Sequence, residues 1–310
     1  MKKFKIEEIN GVIAAMISLF DEDEAVDTGR TCALVDFLLA RGVNGLYLTG
    51  STGEGFLMTG SERCLVVDTV VRQVAGRVPV IVHIGDIGTK KTIQLAEHAY
   101  YAGADAVSSV PPFYWKFNEE DIYNYYKDVS EATPLPMIVY NVPMAGLMGT
   151  ELLLKLSKLP RVQGIKFTGK DHDQMGHLIE LLKPDIKVYS GCDEMALSGL
   201  LAGADGIIGS FYNVMPELFI KMTNAVNQND LQTAKRLQKI GTEIILEAVS
   251  YDYLALMRNM IRWQGVDAGF SRRPFCNYDD AGLELFKQKM CKIRFDYQVS
   301  SEEVNFMQFI

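Results

Sequence analysis

Short apolar runs alternate with helical stretches eight times between residues 12 and 226, and this alternation restricts the chain more than any other feature. The strand-like runs cover 12–18, 45–48, 79–84, 105–110, 136–142, 162–168, 186–190 and 206–209. Helices are predicted over 27–41, 61–74, 89–102, 119–132, 150–156, 173–182, 193–201 and 216–226. Ser61 and Glu62 offer a cap and a first-turn acid to the second helix, and Pro216 suits the first turn of the eighth. Three helix-to-strand joints resemble one another: Arg41-Gly42-Val43-Asn44, Ala102-Gly103-Ala104-Asp105 and Ala202-Gly203-Ala204-Asp205. Glycine suits a helix C-terminus that turns into the next strand, and a recurring joint marks a repeated βα unit. Eight such units in about 225 residues match the size of a (β/α)8 TIM barrel. An open doubly wound sheet is the competing α/β architecture, but the sequence has no GxGxxG dinucleotide fingerprint.

Beyond residue 229 the alternation stops. Helices are predicted over 231–249, 253–264 and 280–292, with a loop over 265–277. The expected organisation is a barrel over 1–228 and a C-terminal helical appendage over 229–310.

A net charge of −8 and the lack of a basic cluster argue against nucleic acid as a partner. The five cysteines are scattered without a CxxC pair, as expected of reduced thiols in a cytoplasmic protein. The N-terminus is basic from Met1 to Lys5, but Glu7, Glu8 and the acidic run from Asp21 to Glu24 do not suit a signal peptide. No run approaches the ~18 apolar residues of a membrane span. The four histidines lack ligand spacing, so no metal site is expected; His83 reads as a core residue.

In a barrel of this kind the reactive groups lie where the strands end. Lys166 is the anomaly there, a lysine inside the apolar run Val162-Gln163-Gly164-Ile165-Lys166-Phe167-Thr168. An ordinary lysine, with a pKa of ~10.4, offers about one neutral amine in two thousand at pH 7. Nucleophilic use requires a fall of about 3 units, roughly 4 kcal/mol, which desolvation in an apolar strand can supply. The bland alternative is a lysine that snorkels to solvent. Other strand ends carry Gly50-Ser51-Thr52-Gly53, suited to a carboxylate or phosphate, and Tyr140, placed to shuttle a proton. Gly191, Asp193 and Glu194 follow the seventh strand, and Ser210 follows the eighth. Each has an ordinary reading: a turn, a buried tyrosine with a bonded hydroxyl, and a helix cap for Asp193 and Glu194.

Together these segments resemble a known family. Gly50-Ser51-Thr52-Gly53-Glu54, Tyr140-Asn141-Val142-Pro143 and Gly164-Ile165-Lys166-Phe167-Thr168 are similar to the three signature segments of the dihydrodipicolinate synthase/N-acetylneuraminate lyase family, in the same order. The similarity covers nearly the whole chain. It implies a class I aldolase that binds a 2-oxo acid, usually pyruvate, as a Schiff base on Lys166, with no metal or organic cofactor. By carry-over Tyr140 is the general acid/base, Ser51 and Thr52 with Gly53 hold the pyruvate carboxylate, and Tyr114 reaches the site of a neighbouring subunit in a homotetramer.

The stretch Pro143-Met144-Ala145-Gly146-Leu147-Met148-Gly149 lacks the arginine that synthases use for a second carboxylate. Lys166-Phe167-Thr168, Gly191-Cys192-Asp193-Glu194 and Gly209-Ser210-Phe211-Tyr212-Asn213 instead resemble the lyase branch, although a residue smaller than Phe211 is expected there. The implied reaction is reversible cleavage of N-acetylneuraminate (sialic acid) to N-acetylmannosamine and pyruvate. Thr168, Gly191, Asp193, Glu194 and Ser210 would bind the hydroxylated tail, and Thr168 shares a strand face with Lys166. The alternatives are an aldolase or dehydratase for another 2-keto-3-deoxy sugar acid, dihydrodipicolinate synthase below that, and a barrel that only senses a 2-oxo acid.

Overall fold

The computed structural model describes residues 3–310, so Met1 and Lys2 of the basic N-terminus lie outside it. Eight strands form one closed parallel barrel: β1 Gly11–Ala15, β2 Gly45–Leu48, β3 Val80–His83, β4 Ala106–Ser109, β5 Met137–Asn141, β6 Val162–Phe167, β7 Lys187–Ser190 and β8 Gly206–Gly209. Closure is direct, with β1 paired to β8 through Val12↔Ile207 and Ile13↔Ile208. All eight strands are Val-, Ile- or Leu-bearing runs buried along nearly their whole length, as strands covered on both faces must be. Around them lie α1 Thr28–Ala40, α2 Gly60–Val74, α3 Thr89–Ala102, α4 Glu119–Glu131, α5 Thr150–Leu156, α6 His172–Leu182, α7 Ala196–Leu201 and α8 Pro216–Asn227.

The recurring joint has a physical purpose. Gly42, Gly103 and Gly203 adopt φ of +83°, +103° and +95°, a region that side chains disfavour, to end α1, α3 and α7. The polar residue two positions on then caps the neighbouring strand. Asn44 Oδ1 accepts from Val12 N at 2.8 Å, Asp105 Oδ2 from Val80 N at 2.9 Å, and Asp205 Oδ2 from Val188 N at 2.9 Å. Three odd-numbered strands are therefore pinned at the barrel floor by the residue that opens the next strand.

Two local expectations are corrected. The cap of α2 is Thr59, not Ser61: Thr59 Oγ1 accepts from Glu62 N at 3.3 Å while Glu62 returns a bond to Thr59 N at 2.7 Å, a reciprocal capping box. The single helix expected over 193–201 is a 3-10 turn, Asp193–Met195, followed by α7, whose N-terminal Met195 provides no side-chain cap. Asp193 turns inward instead, accepting from Phe211 N at 2.9 Å.

The C-terminal helices are α9 Leu231–Ala248, α10 Tyr253–Trp263 and α11 Glu284–Asp296, the last preceded by a 3-10 turn, Ala281–Leu283. They hold the loops at the barrel mouth. From α9, Gln238 bonds both Leu197 N (2.7 Å) and Asp193 O (3.2 Å), and Thr242 reaches Glu194 O. From α10, Arg258 is fully buried and donates to Glu54 Oε1 at 2.5 Å and Ser18 O at 2.6 Å. Glu54 also accepts from Arg272 N at 2.8 Å, so the turn after β2 is clamped from behind by residues more than 200 positions away.

Candidate active site

Strand register brings the reactive side chains to one level of the barrel. Tyr140 pairs with Lys166 and Lys166 with Tyr189 across adjacent strands. Alternation then turns Lys166 and Tyr140 inward. Lys166 is 4% exposed, and no carboxylate lies within 4 Å of its amine among the described residues. Nζ instead sits 4.1 Å from the centre of the Tyr140 ring and 4.2 Å from that of Tyr47. These two rings meet nearly at right angles (80°), so the amine occupies an aromatic corner. Burial holds its pKa down at about 7, opposed only by the more distant Asp193 and Cys192. About half the amines are then neutral at pH 7, against one in some two thousand for an exposed lysine.

The Tyr140 hydroxyl is pushed up to about 12 by burial, so it stays protonated and able to donate. Thr168 Oγ1 opposes that rise slightly but is buried without a hydrogen bond of good geometry. Gly191 permits this arrangement: a Cβ there would fall 1.9 Å from Thr168 Oγ1 and 3.2 Å from Lys166 Cε. Asp193 is buried, its Oδ1 lacks a hydrogen bond of good geometry although the Tyr212 hydroxyl and Ser210 N–H lie near the carboxyl, and desolvation raises the group to about 6. A buried acceptor with poorly aligned donors retains capacity for a further hydrogen bond.

The turn after β2 spends the Glu54 and Gly55 N–H groups internally, on Ser51 O and Gly50 O. The Thr52 and Gly53 N–H groups have no acceptor among the described residues. Thr52 Oγ1 and Ser210 Oγ lie 2.8 Å apart, joining the ends of β2 and β8. Ser51 borders a cavity of about 360 Å³ at the mouth. The structure thus gathers Lys166, Tyr140, Ser51, Thr52, Gly53, Thr168, Gly191, Asp193, Glu194 and Ser210 around one barrel end.

Tyr114 stands apart: it is 83% exposed, meets Trp115 edge-on at 4.8 Å, and holds φ at +84°, a conformation that costs a bulky residue about 1–3 kcal/mol. Sequence reasoning missed Tyr47, which was read only as part of a strand. Its hydroxyl is tied to Ser108 Oγ at 3.1 Å, fixing the ring against the amine. A bulky aromatic at an inward position of a short barrel strand was the available signal. His83 is a core residue as expected, its ring packed against Tyr47 and Tyr140. Among the described residues, no three His, Cys, Asp or Glu side chains are grouped to hold a metal ion, and no helix is long and apolar enough to cross a membrane.

Comparison with known proteins places this geometry. The chain is 33% identical over 288 residues to the N-acetylneuraminate lyase of Rhizobium meliloti (strain 1021), covering 92% of this chain and 96% of that one. It is 37% identical over 285 residues to the N-acetylneuraminate lyase of Escherichia coli (strain K12 / DH10B), covering 90% and 95%. Among solved structures, the wild-type sialic acid aldolase of Ruminococcus gnavus superposes with a TM-score of 0.89 at 28% identity, covering 94% of this chain and 98% of that one. Residues 8–292 match the model of the dihydrodipicolinate synthetase family. With a closed eight-strand barrel, a buried strand-six lysine and these relatives along almost its whole length, the chain belongs to the dihydrodipicolinate synthetase family.

Proposed function

We propose that the protein is a class I aldolase that cleaves N-acetylneuraminate reversibly to N-acetylmannosamine and pyruvate. The observation that carries this reading is the Lys166 amine, buried in an aromatic corner beside Thr168 and Gly191 with no carboxylate within 4 Å among the described residues. Neutral Lys166 attacks the C2 ketone of the open-chain acid, and loss of water gives a protonated imine. Tyr140 relays the proton from the C4 hydroxyl as the C3–C4 bond breaks, and the imine takes up the electron pair as an enamine. Protonation at C3 and hydrolysis release pyruvate and restore the amine, so the cycle calls on no metal or organic cofactor.

Ser51 and Thr52, with the free Thr52 and Gly53 N–H groups, hold the C1 carboxylate. Thr168, the Gly191 carbonyl, Asp193, Glu194 and Ser210 take the hydroxylated tail, which would supply Asp193 Oδ1 with a well-aligned donor. The strained, exposed Tyr114 suits insertion into the site of a partner subunit, in a homotetramer whose cytoplasmic setting matches its unpaired cysteines. The barrel over 1–228 carries the chemistry, and the helical region over 229–310 braces its loops.

The test is pyruvate release from N-acetylneuraminate by the purified protein, followed through lactate dehydrogenase. Steady release establishes reaction and substrate together. Silence, with Lys166 still trapped by pyruvate and borohydride, moves the assignment to another 2-keto-3-deoxy sugar acid.

A further inference from the structure

The turn whose Thr52 and Gly53 N–H groups lack an acceptor among the described residues begins at a strained position. Thr49, which joins β2 to it, holds φ at +54°, a left-handed conformation that a β-branched residue keeps only where its surroundings impose it. The imposing neighbour is His83, fully buried at the end of β3. The Thr49 hydroxyl donates to His83 O at 2.8 Å, and His83 Nδ1 lies 3.3 Å from Thr49 O. On the other side of the ring, Nε2 accepts from Val110 N, just past β4, at 3.4 Å. An amide N–H can only donate and a carbonyl can only accept, so the imidazole is neutral with its proton on Nδ1. Arg63 of α2 fixes the backbone here, donating to His83 O at 2.6 Å and to Gly85 O at 3.0 Å. Gly85 makes room for the ring: a Cβ there would fall 3.0 Å from both Cε1 and Nε2. The ring then backs both walls of the lysine corner, its centre 6.2 Å from that of Tyr47 and 6.1 Å from that of Tyr140.

We infer that His83 is a positioning residue of the site: it holds the carboxylate-binding turn through Thr49 and supports the Tyr140 ring beside the Lys166 amine. The inference rests on the function proposed above and deepens it. A residue needed only to fill space after Val80-Ile81-Val82 would be apolar, because a buried imidazole is costly unless both of its nitrogens are bonded. Here both are bonded, and each bond reaches a different strand end, that of β2 and that of β4. The bonds between Thr49 and His83 are reciprocal, side chain to backbone in each direction, so neither residue can turn without breaking the other's bond. A relaxed Thr49 would re-aim the two N–H groups, since a change in φ at the first residue of a turn rotates everything that follows it. His83 therefore acts on the carboxylate through Thr49 and on the proton relay through Tyr140, without touching either reacting group of the substrate.

The experiment follows two variants by the pyruvate concentration that gives half-maximal borohydride trapping of Lys166, and by kcat and KM for N-acetylneuraminate. His83→Phe keeps a ring against Tyr140 but loses both bonds. Half-maximal trapping should then need roughly tenfold more pyruvate and KM should rise alike, with kcat kept within about threefold. His83→Asn has no ring, but its amide nitrogen takes the Nδ1 position and can donate to Thr49 O. Half-saturation and KM should return to within about threefold of the parent protein, while kcat falls by roughly tenfold or more. Thermal melts check that each variant is folded; where His83→Phe is not, the split between kcat and KM in His83→Asn decides alone. Constants that move together in both variants, or a lower melting point with unchanged constants, mark a histidine that only packs the core and overturn the inference. If the unaltered protein traps pyruvate but cleaves no N-acetylneuraminate, the proposed function falls, and the half-saturation values of the two variants still decide the inference.

Discussion

Two buried cations in this protein are handled in opposite ways. Arg258, in the seam between α10 and the turn after β2, is fully buried and carries its counter-ion with it: Glu54 Oε1 lies 2.5 Å away, and the Ser18 and Leu254 carbonyls each accept a further N–H bond. Lys166, in the barrel mouth, is almost as deeply buried, and its amine lies against two ring faces with no carboxylate within 4 Å among the described residues. A guanidinium remains charged under such burial and needs a partner, whereas an ammonium can give up its proton instead. In the seam, burial with a partner yields a clamp. In the mouth, burial without one yields a nucleophile. The fall of Lys166 from 10.5 to about 7, at about 1.4 kcal/mol per unit, puts the cost of holding it there near 5 kcal/mol below pH 7. The rings offset about 1 kcal/mol each.

The largest effect should come from removing the uncompensated charge. Lys166→Met is expected to abolish imine trapping and lower activity by roughly a thousandfold or more, yet to stabilise the fold at pH 7 by about 3 kcal/mol. Activity assays and thermal melts on the same preparation check both, and a melting point below that of the parent protein would remove the claim that the site is held at the expense of stability. The sign runs the other way with Arg258→Leu. Leaving Glu54 buried and unpaired should cost about 3–5 kcal/mol, lowering the melting point by roughly 10 °C, and Glu54→Gln added to it should recover part of the loss.

The pH dependence separates the two cations further. The Lys166 proton is bound more weakly in the folded chain, so between about pH 7 and 10.5 the unfolded chain holds the extra proton. Stability from this group therefore rises with pH across that window, and the full cost applies below it. Activity should follow the neutral amine, with kcat/KM falling below an apparent pKa near 7. A limb near pH 10 would instead describe a solvated lysine. Asp193, raised to about 6, should contribute a second step on the acid side.

The smallest effect concerns the corner itself. Tyr47→Leu should weaken imine formation with pyruvate by roughly tenfold, since a desolvated cation–ring contact is worth up to about 2 kcal/mol. Tyr47→Phe should stay within roughly threefold, because the ring survives. Equal behaviour of the two variants in borohydride trapping would show that Tyr47 only fills space.

Much of this was readable in the sequence because it is local. The alternation of apolar runs and helices gave the strand order, and the joints ending in Asn44, Asp105 and Asp205 announced a repeated unit. Lys166 was conspicuous because a charge in an apolar strand violates the pattern around it. What went unread depended on contacts distant in sequence. Tyr47 lies 119 positions from Lys166, and nothing near it hints that an amine approaches its face. Asp193 looked like a helix cap until the fold brought Phe211 N to its carboxylate. The Arg258–Glu54 clamp joins positions 204 apart, and neither residue's neighbours call for the other.

The sequence by itself determined the barrel, the family resemblance and the lysine, because hydrophobic period, turn chemistry and signature segments act over a few residues. The tertiary structure alone decided that no carboxylate among the described residues comes within 4 Å of the lysine amine, which rings it faces, and that a largely apolar cavity borders the mouth. Those properties are set by what is excluded from a buried volume, and burial is a sum over the whole fold that no short stretch contains.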